Sequence, residues 1–214
     1  MPEPDFKTKV LTSDPNVLHK IKSIQFLRQL IPLIIVVILM VLNFVWPQPW
    51  IFYPTLLAFG WYLLERILFR TRHKILAPGE GVFVAPVDGK VQSIRKIEDD
   101  TMITIRKSFL DIVEVRLPFP GLQMENTSNW NFETPKGQVN IRFQTDKLNF
   151  FGDKNIHGAV IGILPGTAML AIRVPASAKI MVQEKQNLIG GESILLDFEQ
   201  EPKKDEERPS IIVD

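Results

Sequence analysis

Two short charged motifs hold the residues that could do chemistry in this chain. Asp88 lies in Val84-Ala85-Pro86-Val87-Asp88-Gly89-Lys90-Val91, and Ser108, Asp111 and Arg116 lie in the stretch Ser108 to Gly121. A carboxylate can hold a general base in position for attack by a hydroxyl, but that base must itself titrate near neutral pH. His157 is the one histidine beyond residue 75, and in Asn155-Ile156-His157-Gly158 it reads as a surface turn residue rather than a base. Without a base, Asp88 is expected to serve its turn, its carboxylate accepting backbone N–H bonds beside Gly89. Arg116 and Arg173 could pair with phosphate head groups, although a solvated surface position is the default for either. Ser193 follows Glu192 and reads as an ordinary strand residue. The absence of cysteine excludes disulfides, thiolate metal sites and a cysteine nucleophile. Three scattered histidines without H-E-x-x-H spacing give no metal site.

The elements that must carry these residues fall into two classes. Gln29 to Leu64 is an uncharged run, too long for one membrane crossing of about 20 residues and short for two. Trp46-Pro47-Gln48-Pro49-Trp50 divides it, because the prolines interrupt a helix and the tryptophans favour a bilayer interface. The expectation is a membrane helical hairpin over residues 29–69, with arms near Leu30–Trp46 and Trp50–Phe69. The second arm is the weaker, because Pro54, Gly60 and Glu65-Arg66 interrupt it. Residues 1–28 form an N-terminal segment. Lys20, Lys22 and Arg28 before the pair, and Arg66, Arg70, Arg72 and Lys74 after it, put both ends on the cytoplasmic side of the inner membrane. With 25 basic and 24 acidic side chains, net charge identifies no partner.

Residues 75–200 read as a small all-β sandwich or barrel. Short Val- and Ile-rich segments bounded by Pro, Gly, Asn and Asp predict strands at Val82–Ala85, Lys90–Ile97, Met102–Arg106, Ile112–Leu117, Gln138–Gln144, Ala159–Ile163, Ala168–Val174, Ile180–Gln183 and Ser193–Phe198. The polar stretch Met124–Gln138 reads as a long surface loop. Residues 201–214 read as a charged, disordered tail.

The two motifs, at this spacing and behind an apolar segment, resemble the signature blocks of the phosphatidylserine decarboxylases. The first keeps the family's Pro-x-Asp-Gly-Lys-Val. The second lines up without a gap on S-P-x-D-V-H-V-N-R-x-P-x-x-G, with Ser108, Asp111, Arg116, Pro118 and Gly121 in place. Phe69-Arg70-Thr71-Arg72 stands where the family has Phe-Arg-Asp-Pro, and Gly190-Gly191-Glu192 is similar to the Gly-Glu before its last strand. The resemblance implies a mainly β domain of that type and a membrane phospholipid as partner. It also implies a self-made pyruvoyl cofactor, formed when the serine of a Gly-Ser pair attacks the preceding carbonyl. That group acts as the electron sink for CO₂ loss.

The residues for that chemistry are missing. Val113 stands in place of the histidine base, no Gly-Ser pair occurs, and alignment puts Gln200 in place of the serine. Asp88 alone is retained. A pyruvoyl group is therefore not expected, and the former active site is expected to be closed around Val113. The reading is a relative without decarboxylase activity that binds a phospholipid or a protein partner, such as an active paralogue. One alternative is an active pyruvoyl-dependent carboxy-lyase with an unrecognised site. Another is a lipoyl- or biotinyl-like carrier or transport adaptor, suggested by Ala85–Gly89 and Thr145-Asp146-Lys147. Nucleic-acid binding has no basic stripe or recognition helix to support it.

Overall fold

A computed structural model describes residues 10–12, 15–72, 74–76, 79, 81–152 and 156–198. Glu199, Gln200, the 201–214 tail and Asp153-Lys154 lie outside the described residues. The chain runs β1 (Val10–Thr12), α1 (Pro15–Val45), α2 (Pro49–Leu68), β2 (Lys74–Leu76), β3 (Val82–Val84), β4 (Gly89–Ile97), β5 (Asp100–Lys107), β6 (Glu114–Arg116), β7 (Leu122–Asn126) and β8 (Asn129–Thr134). It continues through β9 (Gly137–Phe143), β10 (Asn149–Phe150), β11 (Val160–Ile163), β12 (Ala168–Pro175), β13 (Lys179–Ile180), β14 (Asn187–Leu188) and β15 (Ile194–Asp197).

The two helices form the expected hairpin. Pro49 starts α2 with Gln48 in extended conformation before it, a position where the missing proline N–H costs nothing. Pro54 sits inside α2, and Thr55 Oγ1 donates back to Ile51 O at 2.8 Å. Apolar side chains cover the outside of both arms, among them Val37, Phe44, Leu57 and Leu64, all exposed. Among the described helices α1 alone is long and apolar enough to cross a membrane. In α2 the polar and interrupting residues Tyr53, Pro54, Gly60, Tyr62, Glu65 and Arg66 dilute the apolar run.

The first arm differs from expectation at its start. It begins at Pro15 rather than near Leu30, because Val17, Ile21 and Ile24 fall on one helical face. That face packs on the β domain in an apolar cluster with Phe69, Val113, Val160, Ile163 and Phe151. The base of the hairpin is closed twice more. Gln25 Nε2 donates to Phe69 O at 3.1 Å, and β1 pairs antiparallel with β2 from Val10↔Leu76 to Thr12↔Lys74.

The domain beyond is mainly β and antiparallel. Seven strands in the order β14-β4-β5-β12-β9-β8-β7 form the large sheet, and two three-stranded sheets, β10-β11-β6 and β13-β15-β3, complete it. One core draws on all three: Val91, Ile103, Ile105, Ile141 and Ile172 from the large sheet, Ile161 and Val115 from the second, Phe83 and Leu196 from the third. Alternation explains the large sheet, since β12 buries Ala168, Leu170, Ile172 and Val174 on one face.

The stretch Met124–Gln138 is not a surface loop. It holds the greater part of the β7–β8 hairpin and the start of β9. Asn126 Oδ1 accepts from Ser128 N and Asn129 N at 2.9 and 2.8 Å, an Asx-type turn that reverses the chain. Trp130 and Phe132 then alternate into the core between Asn129, Asn131 and Glu133. Of the segment Ile180–Gln183 only Ile180 is strand, together with Lys179 in β13, and of Ile112–Leu117 only Glu114–Arg116.

Candidate functional site

The three sequence blocks converge in space. In the first, Pro86 O accepts from Arg116 N of the second at 2.8 Å, and Val84 N donates to Pro118 O at 3.0 Å. Gly191 N donates to Ala85 O at 2.8 Å, and Gly190 N to Asp88 Oδ1 at 2.7 Å. A Cβ on Gly190 would stand 3.0 Å from Val87 C, so the backbone reaches Asp88 only because glycine is there. The bond to the Asp88 carboxylate thus comes not from its own turn beside Gly89 but from a strand connection far along the chain. Its other oxygen lies 3.9 Å from Arg72 Nη2.

Arg116 is no surface arginine. Its side chain is 2% exposed, as is that of Glu114, its buried ion-pair partner. One guanidinium nitrogen donates to Gly158 O at 3.2 Å; another donates to Glu114 Oε2 and to Arg72 O. Glu114 Oε1 accepts from Arg72 N at 2.6 Å. Burial pushes the Glu114 carboxyl above its usual range, and the Arg116 charge opposes that shift. All of Arg116's visible hydrogen-bonding is therefore internal. Arg173 is elsewhere, exposed on β12 and paired with Asp100. The structure does not bring the two arginines together.

Val113, at the family's histidine position, is 1% exposed. Its backbone is held by Arg70 O and Leu164 N, and its side chain packs among Val17, Ile21, Phe69, Val160 and Ile163. Val113 also borders a cleft of about 420 Å³ with Arg28, Glu65, Phe69 and Phe109. Asp88 faces a different space, a cleft of about 630 Å³ that it shares with Lys90, Arg106, Ser108, Phe109, Asp111 and Asn187. Asn187, Lys90 and Arg106 are direct neighbours across β14, β4 and β5, because Asn187 pairs with Lys90 and Lys90 with Arg106. Two cations directly opposed across a ladder repel each other, a cost that a bound anion relieves.

Lys107 is a buried charge beside the cleft that the sequence reading missed. It is fully buried, and its Nζ donates to Ser108 O, Asp111 O and Gly166 O at 3.2–3.3 Å. Burial lowers its pKa, and Asp111 and Asp88 work against that shift. The signal was an Arg-Lys pair at the end of a strand whose alternation turns the second inward. His157 is half-buried, with Nε2 3.0 Å from Pro118 O and its ring edge-on to Phe119. Desolvation lowers its pKa, and the Pro118 carbonyl partly compensates. Among the described residues no three His, Asp or Glu side chains converge as metal ligands do. No protein-family model, curated protein or solved structure matches the chain.

Two outcomes follow. Arg116→Ala leaves Glu114 buried without its partner and is expected to cost about 3–5 kcal/mol in chemical denaturation. The double variant Glu114→Leu/Arg116→Met should cost clearly less than that single change. His157 has a depressed folded pKa, so its contribution is present above the unfolded value of 6.5 and is lost as pH falls through the folded value. The midpoint of thermal unfolding should therefore drop on going from about pH 7.5 to about pH 5.5 by less in His157→Gln than in the parent chain.

Proposed function

We propose that this chain is a membrane-anchored relative of the phosphatidylserine decarboxylases that has no decarboxylase activity and binds a phospholipid head group at the membrane face. The likeness rests on the motif residues and on how the blocks they form pack together. The observation that carries the loss of activity is Val113. Where the family has a base there is a side chain without a titratable proton, walled in by α1 and Phe69. Asp88 persists with its carboxylate engaged by Gly190 N, a structural task that explains its presence without catalysis.

The hairpin supports the membrane reading. Its apolar arms expose side chains that water would not tolerate in such number, and Trp46 and Trp50 stand at its tip, 66% and 70% exposed. From Gln29 to Val45 the first arm rises about 25 Å, somewhat less than a hydrocarbon core of ~30 Å. Basic residues on both flanks favour the cytoplasmic face of the inner membrane. Lys90 and Arg106 support an anionic head group, since both line the cleft while its two carboxylates, Asp88 and Asp111, accept from Gly190 N and Ser108 N. Arg116 is left out of that contact by its burial.

The first test is the intact mass of the purified chain, together with CO₂ release from phosphatidylserine vesicles. A single uncleaved chain near 24.5 kDa that releases no CO₂ is expected. Two fragments, one beginning with a pyruvoyl group, would make the chain a working carboxy-lyase. Head-group binding is tested by cosedimentation of the full chain in detergent micelles with and without anionic phospholipid. The Lys90→Gln/Arg106→Gln variant should lose most of the lipid that the parent chain retains. Equal retention by both would move the site away from this cleft.

A further inference from the structure

The turn between β5 and β6 is built more rigidly than a connecting loop requires. Five hydrogen bonds hold the four residues Ser108–Asp111, and a sixth anchors the lysine that makes two of them. Lys107 Nζ supplies two, to Ser108 O and Asp111 O, and ties the turn to Gly166 O with a third bond. Ser108 N donates to Asp111 Oδ2 at 2.6 Å, and Asp111 N to Ser108 O at 3.2 Å. Arg70 Nη2 donates to Leu110 O at 2.8 Å. A buried lysine, kept dry against the preference of its charge, organises a turn that has no core of its own.

What this turn presents is apolar. Phe109 is 50% exposed and Leu110 48%, the two most exposed large hydrophobic side chains of the described β domain, and the only adjacent pair among them. Single exposed apolar residues are ordinary; a rigid pair at the tip of a turn is not. Its position is equally specific. Arg70, which holds Leu110, follows α2 directly, and Phe109 borders a cleft with Arg28, Glu65, Leu68 and Phe69 at the base of the helical hairpin. Those charged residues mark the level at which the hairpin leaves the apolar phase.

We infer that the Ser108–Asp111 turn is a second membrane contact, with Phe109 and Leu110 inserted into the interface of the same bilayer that holds the hairpin. A short apolar wedge flanked by Arg70 and Arg28 matches that interface, where hydrocarbon lies beside anionic head groups. The contact fixes the orientation of the β domain. Phe109 also lines the Asp88 cleft, so inserting it opens that cleft at the head-group level. The inference rests on the hairpin being a membrane anchor and does not depend on the likeness to decarboxylases.

The chain has no cysteine, so Leu110→Cys carries a single environment-sensitive fluorophore. Ser177→Cys is the reference. It lies past the Pro175 end of β12, which is roughly 23 Å along the strand from Ala168, the partner of Lys107. Full-length protein is placed in vesicles of phosphatidylcholine and phosphatidylglycerol, with and without brominated acyl chains. The expected result is a blue-shifted label at 110 that loses emission to brominated lipid and resists aqueous iodide, while the label at 177 does the opposite. Iodide quenching of both labels would overturn the inference, and so would protection at 110 without quenching by brominated lipid, the outcome for a turn covered by a second copy. Native Trp46, Trp50 and Trp61 report the hairpin independently. If they are quenched by brominated lipid and the 110 label is not, the wedge alone fails; if neither is quenched, the membrane anchor fails with it.

Discussion

The buried pair of Glu114 and Arg116 is the interaction on which the arrangement of this protein depends. Two charges taken out of water are tolerated only when each lone pair and proton finds a partner. Here the partners are the backbone of Arg72, the carbonyl of Gly158 and the two side chains themselves. Each belongs to a different part of the chain. The pair therefore nails the segment leaving the hairpin to β6, and β6 to the loop before β11. Its specificity is directional in a way that hydrocarbon contacts are not.

Around that polar knot the joint is apolar. Val17 and Ile21 from α1 meet Val113, Val160 and Ile163 from the β domain, with Phe69 between them. A polar base at position 113 would have to share this space with helix side chains. The isopropyl group of Val113 suits a space roofed by the side chains of a helix. The neighbouring Asp88 cleft is polar because Asn187, Lys90 and Arg106, near the ends of their strands, line it and no helix residue does.

How much of this was legible in the sequence follows from what kind of signal each part leaves. The hairpin announced itself through unbroken apolarity and the Trp-Pro-Gln-Pro-Trp turn, and most strands through alternation between turn residues. The β7–β8 hairpin was hidden because its exposed face is all Asn, Gln and Glu, which outweighed the alternating Trp130 and Phe132. The early start of α1 was hidden because Lys20, Lys22 and Arg28 are interleaved with Val17, Ile21 and Ile24 and break up their apolar pattern. Hardest to read were Lys107, Glu114 and Arg116. Charge in a sequence is scored as surface, and only the partners brought in from residues 70–72, 158 and 166 make their burial affordable. Asp88 was read as bonded within its own turn; that its partner would be Gly190, a hundred residues away, left no local signal.

The short ladder between Val10–Thr12 and Lys74–Leu76 carries a consequence for how the chain is made. These strands flank the hairpin, so neither can pair until both helices have been synthesised and the second has come back to the side where the first began. For a hairpin seated in a bilayer, an arm that crossed and did not return would leave the two strands in different compartments, unable to meet. The ladder thus acts as a latch that closes only when both ends of the hairpin lie on the same side, whichever side that is.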